Sequence, residues 1–223
     1  MNKKLFIEAI SKFTLGFILV AILIFLPAGT FSYWNGWLLV GLLFIPMFIA
    51  GIIMLIAAPK LLKSRLKAKE KENTQKDIVA ISGLMFIIGF IVAGLDFRFK
   101  WMQLPKIIII IASIIFLISY IIYASVLIEN EYLSRTIEIQ KGQKVIDTGL
   151  YSIVRHPMYM ATLFLFLSIP LILGSVLSYI IFLVYPFIIV QRIKNEEKFL
   201  EKKLKGYKSY KKKVKYRLIT YIW

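Results

Sequence analysis

The sequence predicts an all-α integral membrane protein of about five membrane segments, the last of which is a helical hairpin. Of its 223 residues, 59% are hydrophobic and only 18% are charged. Several uncharged runs are long enough to cross a bilayer at about 1.5 Å per helical residue. The distribution of lysine and arginine then gives these spans a consistent direction.

The formal net charge of +17 would favour nucleic-acid binding in a soluble protein, but its distribution argues against that function. If the bundle is threaded so that Arg98, Lys100 and Lys106 face outward, the other 26 of the 29 lysines and arginines fall on one side. The positive-inside rule makes that side the cytoplasm, where an anionic inner leaflet is the expected partner. We therefore predict a multi-pass protein with both termini cytoplasmic, in the plasma membrane if the source is prokaryotic.

The first four spans follow from the uncharged runs. They are predicted at residues 10–28, 33–58, 78–95 and 106–128. Trp34 and Trp37 suit the outer membrane interface, and residues 60–76 are expected to form a cytoplasmic loop. The first 128 residues are therefore predicted to be a helical bundle, with residues 129–223 forming a separate C-terminal region.

The last apolar run, residues 158–190, is too long for one simple span. As a single helix it would measure about 50 Å, against a hydrocarbon core of about 30 Å. Pro170 and the Gly174-Ser175 pair lie near its middle, where a helix is easily interrupted. Because both flanks are basic, we predict a hairpin whose two ends stay on the cytoplasmic side.

The one histidine of the chain lies at the mouth of this hairpin, between Arg155 and Pro157. A residue before proline avoids helical geometry, whereas proline suits the first turn of a helix. We expect His156 to be extended ahead of a helix whose free N–H groups could bind a carboxylate or a heterocycle. The alternative is an interfacial helix cap in which Arg155 contacts lipid phosphate. With no cysteine and one histidine, thiolate chemistry is excluded and no metal site is expected.

A second charged cluster follows the hairpin at residues 191–218. Arg192 and Glu196 are four residues apart and share a helix face, either as a functional pair or as an ordinary surface ion pair. Glu197 and Glu201 have the same spacing with like charge, which weakens a purely stabilising explanation. The lysine-rich tail is expected to lie on anionic lipid with its interleaved tyrosines, Tyr207, Tyr210 and Tyr216.

A family resemblance rests on four segments in order: NEYLSRTIEIQ from residue 130, DTGLYSIVRHPMY from 147, RIKNEEKFL from 192 and GYKSYKKKVKYRL from 206. Together they resemble the isoprenylcysteine carboxyl methyltransferase family, which is related to membrane phospholipid methyltransferases. The resemblance covers roughly residues 129–223. It departs at Thr220, where many relatives have proline, and at Ala161, where glycine is common. It implies five membrane segments and a cytoplasmic cofactor pocket built by the C-terminal third.

The resemblance further implies S-adenosyl-L-methionine as cofactor. Matching positions give a cofactor-binding set of Gln140, Gln143, Lys144, Val145, Ile146, Tyr151, His156, Pro157, Met158, Tyr159 and Glu196. Arg192 is the implied catalytic residue, facing the methyl acceptor. No metal is implied.

These observations predict an S-adenosylmethionine-dependent membrane methyltransferase acting on a lipophilic acceptor such as a prenyl-linked carboxylate. A carboxylate is ionised at neutral pH and needs no general base. An amine or hydroxyl acceptor, as in phospholipid or isoprenoid methylation, would need one, with His156, Glu129 and Glu131 as candidates. An NADPH-dependent reductase of the sterol type and a non-enzymatic basic membrane scaffold are the alternatives.

Overall fold

In this computed structural model the described residues are 3–66, 73–134, 136 and 139–223, and they form helices and connecting loops without a named strand. The helices are α1 Lys3–Ala28, α2 Trp34–Ala57, α3 Pro59–Leu66, α4 Asn73–Phe99, α5 Lys106–Glu129, α6 Pro157–Ile172, α7 Val176–Phe182, α8 Tyr185–Lys203 and α9 Tyr207–Lys213. Five stretches are long and apolar enough to cross a membrane: α1, α2, most of α4, α5 and the α7–α8 arm. The predicted all-α membrane fold is confirmed.

Several helices extend beyond the uncharged runs that predicted them. α1 begins at Lys3 rather than near residue 10, and α4 exceeds the predicted 78–95 at both ends. Lysine and glutamine are good helix formers, so a helix continues after it has left the apolar layer. Part of the loop predicted at residues 60–76 is the short helix α3, while residues 67–72 of that loop lie outside the described residues.

The core of the bundle forms where α4 packs against α1 and α7, and where α5 packs against α6. Ile24, Phe116 and Phe182 are fully buried there. Gly94 permits the close approach of α4 to α1, since a Cβ at that position would lie 2.6 Å from the Ile24 carbonyl oxygen. The outward faces carry exposed isoleucine, leucine and phenylalanine, as expected for helices that contact lipid.

The predicted hairpin is present and turns where the sequence indicated. α6 ends at Ile172, Gly174 adopts a left-handed φ of +76°, and α7 begins at Val176. The turn pairs with the loop between α4 and α5, because the Leu104 N–H donates to the Gly174 carbonyl at 2.9 Å and the Val176 N–H to the Met102 carbonyl at 3.1 Å. Both arms therefore cross the whole bundle.

Polar side chains from other helices satisfy the tip of the hairpin. Tyr33 donates to the Leu173 carbonyl at 2.5 Å, and the Asn35 amide to the Ile172 carbonyl at 2.9 Å. The buried carboxylate of Asp96 accepts the hydroxyl of Ser175. Backbone groups without a partner are costly in hydrocarbon, so this enclosure lets the chain turn between α6 and α7 inside the protein.

The return arm is longer than the predicted hairpin, which stopped at residue 190. It breaks briefly at Leu183-Val184, and α8 then continues without interruption to Lys203. Arg192 and Glu196 therefore lie on the same helix as the apolar arm. Both flanks of the hairpin meet at one end of the bundle, called here the basic end and comprising residues 139–156 and 191–218.

Candidate functional site

The corner before α6 is held by the C-terminal segment. α6 begins at Pro157, as predicted, and His156 has φ −126° and ψ 60°, outside helical geometry. The Arg155 N–H donates to the Tyr216 carbonyl and the His156 N–H to the Arg217 carbonyl, each at 2.9 Å. These two N–H groups precede the helix, and anion binding by the N–H groups of its first turn stays a prediction.

A buried carboxylate, Glu197, joins this corner to α8. Its Oε1 accepts the Arg155 Nε–H at 2.7 Å and its Oε2 accepts the Arg217 Nε–H at 2.9 Å. The His156 Nε2 lies 3.4 Å from Oε1. Arg155 is 5% exposed, so the interpretation of this residue as a lipid-phosphate contact is wrong. Its buried charge is instead compensated within the protein.

The like-charged neighbours Glu197 and Glu201 share a cation from α9. The Lys211 ammonium lies 2.5 Å from Glu201 and 3.8 Å from Glu197. The repulsion inferred from their spacing on one helix is therefore offset by a residue ten or more positions downstream.

Arg192 and Glu196 are connected through a tyrosine of α6. The Tyr159 hydroxyl donates to the Glu196 Oε2 at 2.5 Å and accepts the Arg192 Nε–H at 2.9 Å. The guanidinium carbon lies 5.8 Å from the centre of the Tyr159 ring. The pair is thus part of a partly buried network between α6 and α8 rather than an isolated surface ion pair.

A cavity at the basic end brings most of the predicted site residues together. The predicted residues that line it are Gln143, Lys144, Val145, Ile146, Tyr151, His156, Met158, Tyr159, Arg192 and Glu196. Gln140 and Pro157 do not line it. The Gln140 amide donates to the Tyr132 carbonyl at 2.7 Å and supports the loop, while Pro157 starts α6.

The sequence did not identify the part of the cavity wall that comes from the tail. Leu200, Leu204, Tyr207 and Tyr210 also line the cavity. The expectation that the tail tyrosines lie on lipid is wrong for Tyr207 and Tyr210, which are 4% and 6% exposed. The Tyr210 hydroxyl donates to the Tyr151 carbonyl at 2.7 Å. Their i, i+3, i+7 spacing with Val214 is an apolar helical pattern that could have indicated burial.

Helix α3 contacts one of the cavity residues. The Arg65 guanidinium donates to the Tyr123 hydroxyl of α5 and lies 3.8 Å from the sulfur of Met158, a cavity residue. This contact links α3 to α5 and to the first turn of α6.

The acidic residues considered as general bases are elsewhere. Glu129 accepts the Thr148 hydroxyl at 2.7 Å and the Leu150 N–H at 3.2 Å, and it does not line the cavity. Gly149 lies over this carboxylate with a φ of +44°, where a Cβ would be 2.3 Å from the Glu129 oxygen. Glu129 therefore supports the turn before Tyr151, and Glu131 is exposed outside the cavity. Within the described ranges no group of three histidine or acidic residues could hold a metal ion.

Comparison with known proteins identifies a family match in the C-terminal half of the chain. Residues 106–206, which contain α5, the loop before α6, the hairpin and α8, match the phospholipid methyltransferase family. That family includes members of the isoprenylcysteine carboxyl methyltransferase type, so the resemblance described above is confirmed.

Part of the chain is also similar to a sterol reductase. The Delta(14)-sterol reductase of Mus musculus is 32% identical over 91 residues, which are 40% of this chain and 22% of that protein. The chain therefore spans less than a quarter of the length of this relative.

Proposed function

We propose that this chain, which carries a phospholipid methyltransferase family region at residues 106–206, is an integral membrane methyltransferase that uses S-adenosyl-L-methionine. We further propose that the acceptor is a lipophilic molecule ending in a carboxylate, of the prenyl-linked class. The observation that carries the proposal is the hydrogen-bonded series Arg192–Tyr159–Glu196 in the wall of a cavity at the end of the membrane helices.

The residues of the cavity suit a nucleoside amino acid. The Glu196 carboxylate can accept hydrogen bonds from an ammonium or hydroxyl group. Val145, Leu200 and Leu204 offer an apolar surface for a purine ring. The buried hydroxyl of Tyr207, which has no partner among the described residues, fits a ligand rich in hydrogen-bond acceptors. When bound there, the cofactor supplies a methyl group activated by its sulfonium.

Arg192 is the residue that we assign to the acceptor. It lies one helical turn closer than Glu196 to the apolar part of the return arm, where a guanidinium is costly unless it has partners. Tyr159 fixes its orientation through the 2.9 Å hydrogen bond. A guanidinium can hold a carboxylate bidentately and orient one oxygen toward the reacting methyl carbon.

The main contribution of the protein to methyl transfer is to align the acceptor with the methyl group. Methyl transfer is an in-line displacement, so near-attack placement and exclusion of water supply most of the acceleration. A carboxylate acceptor needs no proton removed, which agrees with the placement of Glu129 and Glu131 away from the cavity. An amine or hydroxyl acceptor would require a base, and of the three candidates named from the sequence, His156 is the one that lines the cavity.

A sterol-type reductase is the second candidate function, because the mouse relative carries that name. The two functions require different cofactors, so binding separates them. We expect the purified protein in detergent to bind S-adenosylmethionine in calorimetry and not NADPH. The opposite result would favour the reductase, and binding of neither would favour the membrane scaffold.

A matched pair of variants tests the assigned pocket. Glu196→Gln should weaken S-adenosylmethionine binding by about 1–3 kcal/mol, the usual cost of removing a charge-assisted hydrogen bond. Glu201→Gln, on the same helix but outside the cavity, is the control and should leave the affinity unchanged. Equal affinities in the two variants would remove Glu196 from the cofactor site.

A further inference from the structure

One residue of the cavity wall, Tyr207, has a buried hydroxyl for which the described residues offer no hydrogen-bond partner. Tyr207 is 4% exposed, and its hydroxyl oxygen is shielded from solvent without a partner among the described residues. Buried polar groups are nearly always paired, so an orphaned hydroxyl in a cavity wall indicates a missing partner. The adjacent Tyr210 provides the contrast, because its hydroxyl donates to the Tyr151 carbonyl at 2.7 Å.

The chain is built to bring Tyr207 under the end of α8. Gly206 adopts a left-handed φ of +91°, which an L side chain rarely adopts, and thereby reverses the chain between α8 and α9. The Tyr207 ring then packs with Leu204 and Val145, at 5.8 Å from the Tyr210 ring centre. This conformation encloses the tyrosine, and within the described part of the chain its hydroxyl has no acceptor.

The chemistry around the hydroxyl indicates which kind of ligand atom could meet it. Burial, and then the negative charges of Glu197 and Glu196, raise the pKa of Tyr207 far above its usual range. The group is therefore a neutral hydrogen-bond donor at physiological pH. A neutral donor of this kind suits an uncharged acceptor, such as a purine nitrogen or a ribose oxygen.

We propose that Tyr207 is a ligand-binding residue whose hydroxyl donates to the nucleoside half of the cofactor, an inference that rests on the methyltransferase function proposed above. The apolar wall of Val145, Leu200 and Leu204 then faces the base. The amino-acid half extends toward Glu196 and Tyr159. The tail thus contributes to cofactor recognition.

The test uses two probes and two isosteric variants. S-adenosylhomocysteine contains both halves of the ligand, and 5′-methylthioadenosine lacks the amino-acid half. Their affinities for the full-length wild type, Tyr207→Phe and Tyr210→Phe are measured by calorimetry in detergent. The midpoint of thermal unfolding without ligand is measured for the same proteins.

Tyr207→Phe should weaken the binding of both probes by about three- to tenfold, the value of one hydrogen bond. Its unfolding midpoint without ligand should equal or exceed that of the wild type, because an unpaired buried hydroxyl has been removed. Tyr210→Phe should instead lower the midpoint, because the Tyr151 carbonyl loses its donor, and should weaken binding less.

Two results would overturn the inference. Unchanged affinity of Tyr207→Phe for both probes would make the hydroxyl irrelevant to binding. A loss seen with S-adenosylhomocysteine but absent with 5′-methylthioadenosine would place the contact at the amino-acid half. Failure of the proposed function would be distinct, since the wild type itself would then bind neither probe.

Discussion

We expect Glu197→Gln to lower the free energy of unfolding of the C-terminal region more than any other isosteric substitution on α8. The carboxylate is 4% exposed and accepts Nε–H bonds from Arg155 and Arg217. The amide retains the shape of the side chain but has one uncharged oxygen in place of two carboxylate oxygens, so one arginine bond is lost and the other is weakened, at about 1 kcal/mol or more each. Its NH₂ group would also face one guanidinium, donor against donor. The total loss is about 2–4 kcal/mol.

Glu201→Gln is the matched control on the same helix. Glu201 pairs with Lys211 at 2.5 Å, but the side chains are 31% and 36% exposed. Removing such a pair changes stability by about 0–1 kcal/mol. Both variants are compared by denaturant unfolding in micelles, followed through tryptophan fluorescence. If Glu197→Gln is no less stable than Glu201→Gln, the buried carboxylate does not hold the corner and the tail together.

Three further predictions concern the acceptor site, the turn before the cavity and the topology. Arg192→Lys should keep the cofactor affinity within a factor of about three but lower turnover at least tenfold, a loss of about 1.4 kcal/mol in transition-state stabilisation. If calorimetry instead shows that cofactor binding is lost, Arg192 belongs to the cofactor pocket. Gly149→Ala should lower the midpoint of thermal unfolding more than Gly142→Ala. Both glycines have a positive φ, but the new Cβ would lie 2.3 Å from a carboxylate oxygen at position 149 and would meet nothing within 4 Å at position 142. Equal decreases in the midpoint would refute this. Single cysteines in place of Lys212 and Lys100 should be labelled only from inside and only from outside, respectively, and labelling of both from one side would contradict the threading.

The membrane fold was predictable because its signals are local. A helix in hydrocarbon must satisfy its own backbone, so uncharged runs mark spans without knowledge of tertiary contacts. The turn at Gly174 was predictable as well, because a run of 33 apolar residues is too long to cross the bilayer once. The continuation of α8 to Lys203 was less accessible, because the apolar pattern stops at residue 190 while helix propensity does not.

The site was only partly predictable, because its polar core depends on distant pairings. The resemblance brought Glu196, Arg192 and Tyr159 forward, and the structure places all three in one network. Nothing local shows that Glu197 is buried, since its partners Arg155 and Arg217 lie 42 residues before it and 20 after it. From the sequence alone, Glu197 is a glutamate that repels another glutamate, Glu201, four residues away on the same helix.

The tail was misinterpreted for a related reason. Lysines interleaved with tyrosines resemble a lipid-binding segment when only composition is considered. In the structure Lys208, Lys212 and Lys213 of α9 are exposed, while Tyr207 and Tyr210 lie in the cavity wall. The composition of such a short helix is dominated by its exposed lysines. The buried face, which carries the tyrosines, is identified by its packing against the rest of the protein.

The most direct test of the account is methyl transfer itself. The purified protein is incubated with S-adenosylmethionine carrying an isotopically labelled methyl group and with a lipid extract, and the lipids are analysed by mass spectrometry. We expect one lipophilic species to gain a single labelled methyl group, as an ester that mild base hydrolyses, and the gain to fall at least tenfold with Arg192→Lys. Absence of any labelled lipid, from protein shown to bind the cofactor and from extracts of several sources, would contradict the account.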